Sequence, residues 1–406
     1  MKKAAVCLVA VAALTALPCR ADEDTILKTK VGPVDVGLFI PADTKPLRGL
    51  YVHAAHYRIK STDRWAEASR AIGFGHIALN INLKLNNRPK KLRTGLDEAL
   101  IEFAAKTGRS ELPHLPMIGI GHSAGGMVVP VLLTTPERAI TTCVSCGWIT
   151  DPKKLKPADK SMPMLFTLGA IPDAFKMLPG IESRFLPARK EELAWGLGLQ
   201  WGCAHDFANS ATLFIPWCEA VSAMRLPKFP PRTGGPVKLR DIKLSDSWLG
   251  QSPTIETNLA TVAPYKDYKG DKTKAVWLPS RSVAFVWRAI QSKDPPVVLE
   301  ASAKDGSAEL PKANPKSERQ MTVASGGSIV LRATVRKGAD VSKIQYYDGD
   351  RLIGESTKAP WRFDWTQAPA GLRPVWAMWT SSDGKKGVSN PALIIVRPTA
   401  LKEKKK

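Results

Sequence analysis

Gly121-His122-Ser123-Ala124-Gly125 sets a serine between two glycines, each two positions away. A strand entering such a turn and a helix leaving it force the serine into a strained backbone conformation that lifts its hydroxyl out of the sheet. Small residues at 121 and 125 let the strand and the helix pass closely. The chemistry this prepares is nucleophilic attack, but a serine hydroxyl is a poor nucleophile without a base. The chain has six histidines, at 53, 56, 76, 114, 122 and 205, and His205 alone follows Ser123. An acid must then hold the tautomer of that imidazole and stabilise its positive charge. Asp173, four residues after Gly169, is the first candidate, Asp151 the second and Glu182 the third. Acyl transfer also needs donors aimed at the developing oxyanion. One is the backbone N–H of Ala124. The other is expected from His53-Ala54-Ala55-His56, with Ala54 as the choice. His53 and His56 serve there either to shape a pocket or as polar fillers. This chemistry calls for no metal and no organic cofactor.

The elements that must position these groups are legible as apolar runs. Residues 117–120 supply a short buried strand before the serine, and residues 126–129 begin an apolar helix after it, which Pro130 is expected to kink. Strands are expected at 34–40, 48–52, 76–81, 139–146, 163–169 and 196–201. Leu96, Leu100 and Phe103 mark one helix face at i, i+4 and i+7. Further helices are expected at 63–72, capped by Ser61 or Thr62, and at 208–224. The 202–205 loop would deliver His205 from the end of the last strand. Alternation of strands and helices predicts a mostly parallel sheet with helices on both faces, occupying residues 22–226.

Residues 227–294 open on Pro227, Pro230 and Pro231 and read as an extension that packs back through a helix near 283–290. Prolines 295, 296, 311 and 315 place a linker at 295–320. From 321 to 398 the period changes to two: Ile329, Leu331, Ala333 and Val335 alternate with less buried neighbours, as do Trp361, Phe363 and Trp365. With the tight turn at Asp348-Gly349-Asp350 this predicts a β-sandwich. Residues 399–406 form a basic tail.

At the start, Lys2 and Lys3 precede the uncharged apolar run 4–17, and Ala21 follows Pro18-Cys19-Arg20. This is the layout of a secretory signal peptide over 1–21, too short for a membrane span. A secreted or periplasmic destination follows, with no transmembrane segment after cleavage. The net charge is +22, and removing the three charges of Lys2, Lys3 and Arg20 leaves +19. No nucleic-acid-binding motif accompanies the charge. A solvated basic surface or adhesion to an anionic envelope polymer or carbohydrate is the expected use. Cys143, Cys146, Cys203 and Cys218 allow one or two disulfides. Cys143 and Cys146 lack the second half of a zinc site and sit in an apolar run, where two buried thiols are the ordinary explanation.

Residues 26–226 resemble the α/β-hydrolase superfamily, most closely its exported esterase and dienelactone-hydrolase-like members. The GHSAGG stretch at 121–126, the strand before Asp173 and the WGCAH loop at 201–205 carry the likeness. The chain order of that family is serine, acid, histidine. Its usual oxyanion loop reads His-Gly-Gly, whereas this chain has His53-Ala54-Ala55. Residues 320–398 resemble bacterial immunoglobulin-like modules through the stretch 343–354, Ala359-Pro360-Trp361 and Pro369-Ala370-Gly371. No cysteine lies beyond Cys218, so the inter-sheet disulfide of antibody domains is missing. The resemblance implies hydrolysis of a small-molecule or polymer carboxylic ester through an acyl-enzyme. A peptidase or amidase of the same fold, and a non-catalytic envelope or polysaccharide binder on this scaffold, are the competing expectations.

Overall fold

Long apolar runs of four to seven residues, interrupted by turns, can bury both faces only in the middle of a sheet with helices above and below. In the computed structural model, which describes residues 23–42, 44, 46–54, 59–80, 88–147, 149–171, 175–228, 235–312 and 318–397, they do so. The strands are β1 (Thr25–Val31), β2 (Val34–Ile40), β3 (Gly49–Ala54), β4 (Phe74–Asn80), β5 (Met117–His122), β6 (Ala139–Ser145), β7 (Met164–Gly169) and β8 (Trp195–Gln200). They form one sheet in the order β1-β2-β4-β3-β5-β6-β7-β8. β2 runs antiparallel to β1 and β4, and the strands from β4 to β8 are parallel. Every residue of β6, β7 and β8 is buried. This strand order, with one antiparallel strand near its start, is the α/β-hydrolase arrangement. Residues 1–21 and 399–406, expected as a signal peptide and a tail, lie outside the described residues. Among the described residues no helix is long and apolar enough to cross a membrane.

The helices are α1 (Arg64–Ile72), α2 (Pro89–Thr107), α3 (Val128–Leu132), α4 (Leu178–Lys190), α5 (Ser210–Arg225) and α6 (Arg281–Ile290). The cap of α1 is Asp63, not Ser61 or Thr62: its carboxylate accepts from the N–H groups of Trp65 and Ala66. All three residues could accept from the free donors, and the extended backbone at Asp63 puts its carboxylate in position, so the helix starts there. α6 buries Val283, Val286, Trp287 and Ile290, spaced i, i+3, i+4 and i+7. Each such side chain contributes about 1.5–3 kcal/mol on leaving water. Trp287 Nε1 donates to Leu197 O at 2.8 Å, which fixes α6 beneath β8. The small sheet β9 (Trp248–Gly250), β10 (Val262–Pro264) and β11 (Val276–Leu278) lies beside it and touches β8 through β11. Arg189 on α4, wholly buried, donates to Ala275 O at 2.7 Å. Residues 235–290 thus cover the β8 edge of the large sheet.

The sandwich begins earlier than the period-two pattern indicated. β12 (Val297–Ala303), inside the stretch expected as a linker, pairs in antiparallel register with β14 (Ile329–Val335) over seven residues. Its side chains alternate buried and less buried, and flanking prolines concealed that alternation. β12, β14 and β17 (Arg362–Trp365) make one sheet. β13 (Gln320–Ala324), β15 (Lys343–Asp348), β16 (Arg351–Ser356), β18 (Gly371–Thr380), β19 (Lys386–Val388) and β20 (Ala392–Arg397) make the other. Residues 374–377 of β18 are all buried. One face is the sandwich core; the other packs on the first domain, where β18 touches α1, α5 and α6. Leu393 and Ile395 of β20 belong to the core of the α/β domain, while Ile394 and Val396 belong to that of the sandwich. Trp376 stacks on Tyr347 at 4.4 Å and lies over Phe285 of α6 at 6.2 Å.

Candidate active site

β5 ends at His122 and Ser123 follows with φ of 51°, in the left-handed region that a non-glycine residue enters only under strain. A 3₁₀ turn (Ser123–Met127) leads into α3. The helix expected after the serine is therefore a tight turn plus five α-helical residues. At Gly121 a Cβ would lie 2.2 Å from the carbonyl oxygen of Gly125, so only glycine lets the strand and the turn pass. Ala124 is exposed and occupies the first turn of this helical stretch, where backbone N–H groups have no intrahelical acceptor.

β8 ends at Gln200, and residues 201–209 loop back over the ends of β6 and β7 before α5. This loop carries His205, which is exposed. Its Nε2 stands 2.9 Å from Ser123 Oγ, a distance at which the hydroxyl donates when the ring proton is on Nδ1. The approach depends on Gly169, where a Cβ would fall 2.0 Å from Ala204 O. The first half of the loop is held by the α/β domain itself. Ile171 N donates to Cys203 O at 2.9 Å, and Cys146 Sγ lies 3.8 Å from Asp206 O. Beneath it, Thr167 Oγ1 and Gln200 Nε2 both reach Ser210 Oγ, at 2.8 and 3.0 Å, and Ser210 donates to Ser145 Oγ at 3.0 Å. All four side chains are buried, so these hydrogen bonds fix the floor under the histidine.

Rings surround the pair. His122 lies 5.4 Å from His205 and 6.1 Å from Phe207. Burial, reinforced by His205, holds the His122 imidazole below its ordinary pKa. Phe207 packs against Phe214 at 5.6 Å and Trp65 at 6.5 Å, and the Arg64 guanidinium sits 5.3 Å from its ring centre. Nothing in residue type or spacing marks Arg64, Phe207 or Asn209 as neighbours of the site; His122 could have been found through its place in the motif.

The other expected residues divide. Ala54 is the last residue of β3, adjacent to β5, and is buried. With His53 level with Ile120, it stands beside Gly121, two residues before the serine. His53 Nδ1 meets His76 Nε2 at 2.9 Å, both rings buried, so His53 is a polar filler between β3 and β4. Asp151 caps a short 3₁₀ turn by accepting from Lys153 N, and Glu182 lies on α4. Among the described residues Ser123 is the one hydrogen-bond partner of His205; Asp173, Ala55 and His56 lie outside the described residues. The four thiols are all free, with Cys143 Sγ 3.7 Å from Cys218 Sγ in the core. Burial raises the Cys203 thiol to about 11. Among the described residues no group of three or more His, Cys, Asp or Glu side chains is placed to hold a metal ion.

A cleft of about 680 Å³ opens beside the loop, between the two domains. Phe175, Trp201 and Val298 give it apolar walls, and Lys293, Arg319 and Arg336 bring cations to it. Lys293 Nζ lies 5.0 Å above the Trp201 ring and 2.6 Å from Glu256.

A family model described as a bacterial Ig domain matches residues 314–384, and the sandwich is such a domain. Solved structures with similarity include a dienelactone hydrolase from Anabaena variabilis, at 16% identity over 50% of this chain and 98% of that one, with a TM-score of 0.34. Est1E from Butyrivibrio proteoclasticus aligns at 13% identity over 49% of this chain and 96% of its own, with a TM-score of 0.31. The fibronectin(III)-like modules of Clostridium thermocellum CbhA align at 32% identity over 20% of this chain and 88% of that chain, with a TM-score of 0.19. No curated protein matches.

Proposed function

We propose that this chain is a serine hydrolase that cleaves carboxylic esters through an acyl-enzyme intermediate. The observation that carries the reading is a strained serine, φ 51°, whose Oγ lies 2.9 Å from the Nε2 of an exposed histidine. Ser123 Oγ attacks the ester carbonyl as His205 Nε2 takes its proton. The oxyanion that forms is held by the N–H groups of Ala124 and Ala54. His205 returns the proton to the departing alkoxide, which leaves as the alcohol, and Ser123 stays acylated. Water then attacks the acyl group with His205 again as base, and collapse returns the free hydroxyl and a carboxylic acid. Asp173 is the acid we assign to hold the His205 tautomer.

The cleft lined by Trp201 and Phe175 is where the bulkier part of the ester would lie, since it opens next to residues 202–203, just before the histidine. The bacterial Ig domain and a charge of +19 once Lys2, Lys3 and Arg20 are removed from the +22 of the full chain fit an exported protein held near an anionic or carbohydrate polymer of the envelope. A fluorophosphonate probe should modify Ser123 in the folded protein. Ser123→Ala should lower kcat on a short p-nitrophenyl ester by about 10⁴-fold or more with the fold unchanged. Unaltered turnover in that variant, or folded protein that takes no probe, ends the reading. Matched ester and amide substrates separate esterase from amidase chemistry.

A further inference from the structure

The loop that carries His205 is anchored from two directions. Its first half rests on β6 and β7, as described above. Its second half, Phe207 to Asn209, includes Ala208 at φ 42°, another strained position for a side chain; besides the packing of Phe207 on Trp65 and Phe214, it is also held by the other domain. Two contacts do this. Arg64, at the start of α1, spreads its guanidinium over Phe207 and is itself gripped at the far side by Glu318. Nη2 donates to Glu318 Oε1 at 2.9 Å, Nη1 donates to Glu318 Oε2, and Nη1 also donates to Gln320 Oε1 at 2.8 Å. Next to it, the backbone N–H of Arg319 donates to Asn209 Oδ1 at 3.1 Å. Residues 318–320 are firmly part of the sandwich. Leu393 N donates to Arg319 O at 2.9 Å, Gln320 pairs with Leu393 in the β13–β20 register, and the buried Arg319 guanidinium donates to Leu299 O.

We infer that Glu318 and Arg319, which lead into β13 of the bacterial Ig domain, are positioning residues for the catalytic histidine, acting through Arg64–Phe207 and through Asn209. The domain is then a working part of the active site rather than a spacer. This role rests on the reading of Ser123 and His205 as nucleophile and base. The energetics separate positioning from stability. The Arg64–Glu318 pair is partly exposed, with 13% and 38% of the side chains accessible; its bidentate geometry puts it at the upper end of what such pairs add to folding, still a small part of the whole stability. Catalysis is far more sensitive: a displacement of about 1 Å of a catalytic group can cost on the order of 10²-fold in rate. Removal of these contacts should therefore be seen in kcat before it is seen in melting.

The test is made in the full chain with Glu318→Ala, Asn209→Ala and Asn209→Asp, on p-nitrophenyl acetate and with a fluorophosphonate probe. We expect each alanine variant to lose about ten-fold in kcat, with KM within about two-fold and Tm within a few degrees. Labelling of Ser123 should slow in parallel. Asn209→Asp keeps an acceptor for Arg319 N–H and should return kcat to within about two-fold of wild type. Folded alanine variants whose kcat and labelling rate stay within two-fold of wild type overturn the inference. So does a change confined to KM, or a failure of Asn209→Asp to rescue. Where Glu318→Ala does not fold, the Asn209 pair decides alone. Wild-type protein that neither hydrolyses the ester nor takes the probe overturns the hydrolase reading instead.

Discussion

Among the described residues two pairs bring a histidine nitrogen to 2.9 Å from its partner: His53 Nδ1 with His76 Nε2, and His205 Nε2 with Ser123 Oγ. They share a distance and nothing else. The first lies in the interior between β3 and β4, with Trp65 edge-on to His53 at 4.6 Å. Burial pushes His53 well below its ordinary pKa and His76 down to about 4, so the pair is neutral and bridges two strands. The second stands at the C-terminal ends of the parallel strands, with an exposed imidazole and a serine in strained backbone geometry. Proximity alone is compatible with either role. Strain and access to solvent mark the pair that is equipped to meet a substrate, because a folded chain keeps such strain only where surrounding structure enforces it.

Substitution should separate the two pairs most sharply. His205→Ala should lower kcat by about 10⁴-fold while melting stays within a few degrees, since an exposed side chain contributes little to folding. A comparable loss from His76→Gln, measured per folded molecule, would contradict the contrast. The buried pair should show itself in acid. The folded-state pKa of His76 is depressed, so below the ordinary value of about 6.5 the unfolded chain binds the proton first. Stability should therefore be fully present above pH ~6.5 and fall as pH drops toward 4. The slope is about 1.4 kcal/mol per unit for this group, roughly 3 kcal/mol in all. Denaturant titrations from pH 7 to 4 measure it, and His76→Gln should flatten the slope; an unchanged slope would locate the linkage elsewhere. A smaller effect is expected at Gly169, where an added Cβ would collide with Ala204 O. Gly169→Ala should cost about 1–3 kcal/mol and also lower kcat, because relief of the clash moves the loop that holds His205. Lost stability with unaltered kcat would show that the loop absorbs the shift without moving its histidine.

Much of the α/β domain was legible because each strand advertises itself locally. Residues 139–145 and 164–169 are unbroken buried runs, and the Gly-x-Ser-x-Gly turn sits between an apolar strand and a helical turn, as its own geometry demands. The start of the sandwich was not, because prolines at 295 and 296 obscured the alternation of β12, and a single strand has no meaning until β14 pairs with it. The helix cap was misplaced by one or two positions because Ser61, Thr62 and Asp63 all have the right chemistry; only backbone geometry selects Asp63. Arg64 and Glu318 are 254 positions apart, and no local pattern connects them.

The sequence by itself determined which residue types are available: one histidine after Ser123, glycines where an added Cβ would fall within 2–3 Å of another part of the chain, and a period that changes from helix-and-strand alternation to two. Those are short-range constraints, set by sterics and by the exclusion of water from apolar faces. Tertiary structure decided that His205 reaches Ser123, that His53 turns to His76 instead, and that β18 of the bacterial Ig domain buries both of its faces over residues 374–377. Such meetings depend on the order of strands in the sheet and on the docking of one domain on another. The free energy that selects them is shared over the whole interior rather than written at any one position.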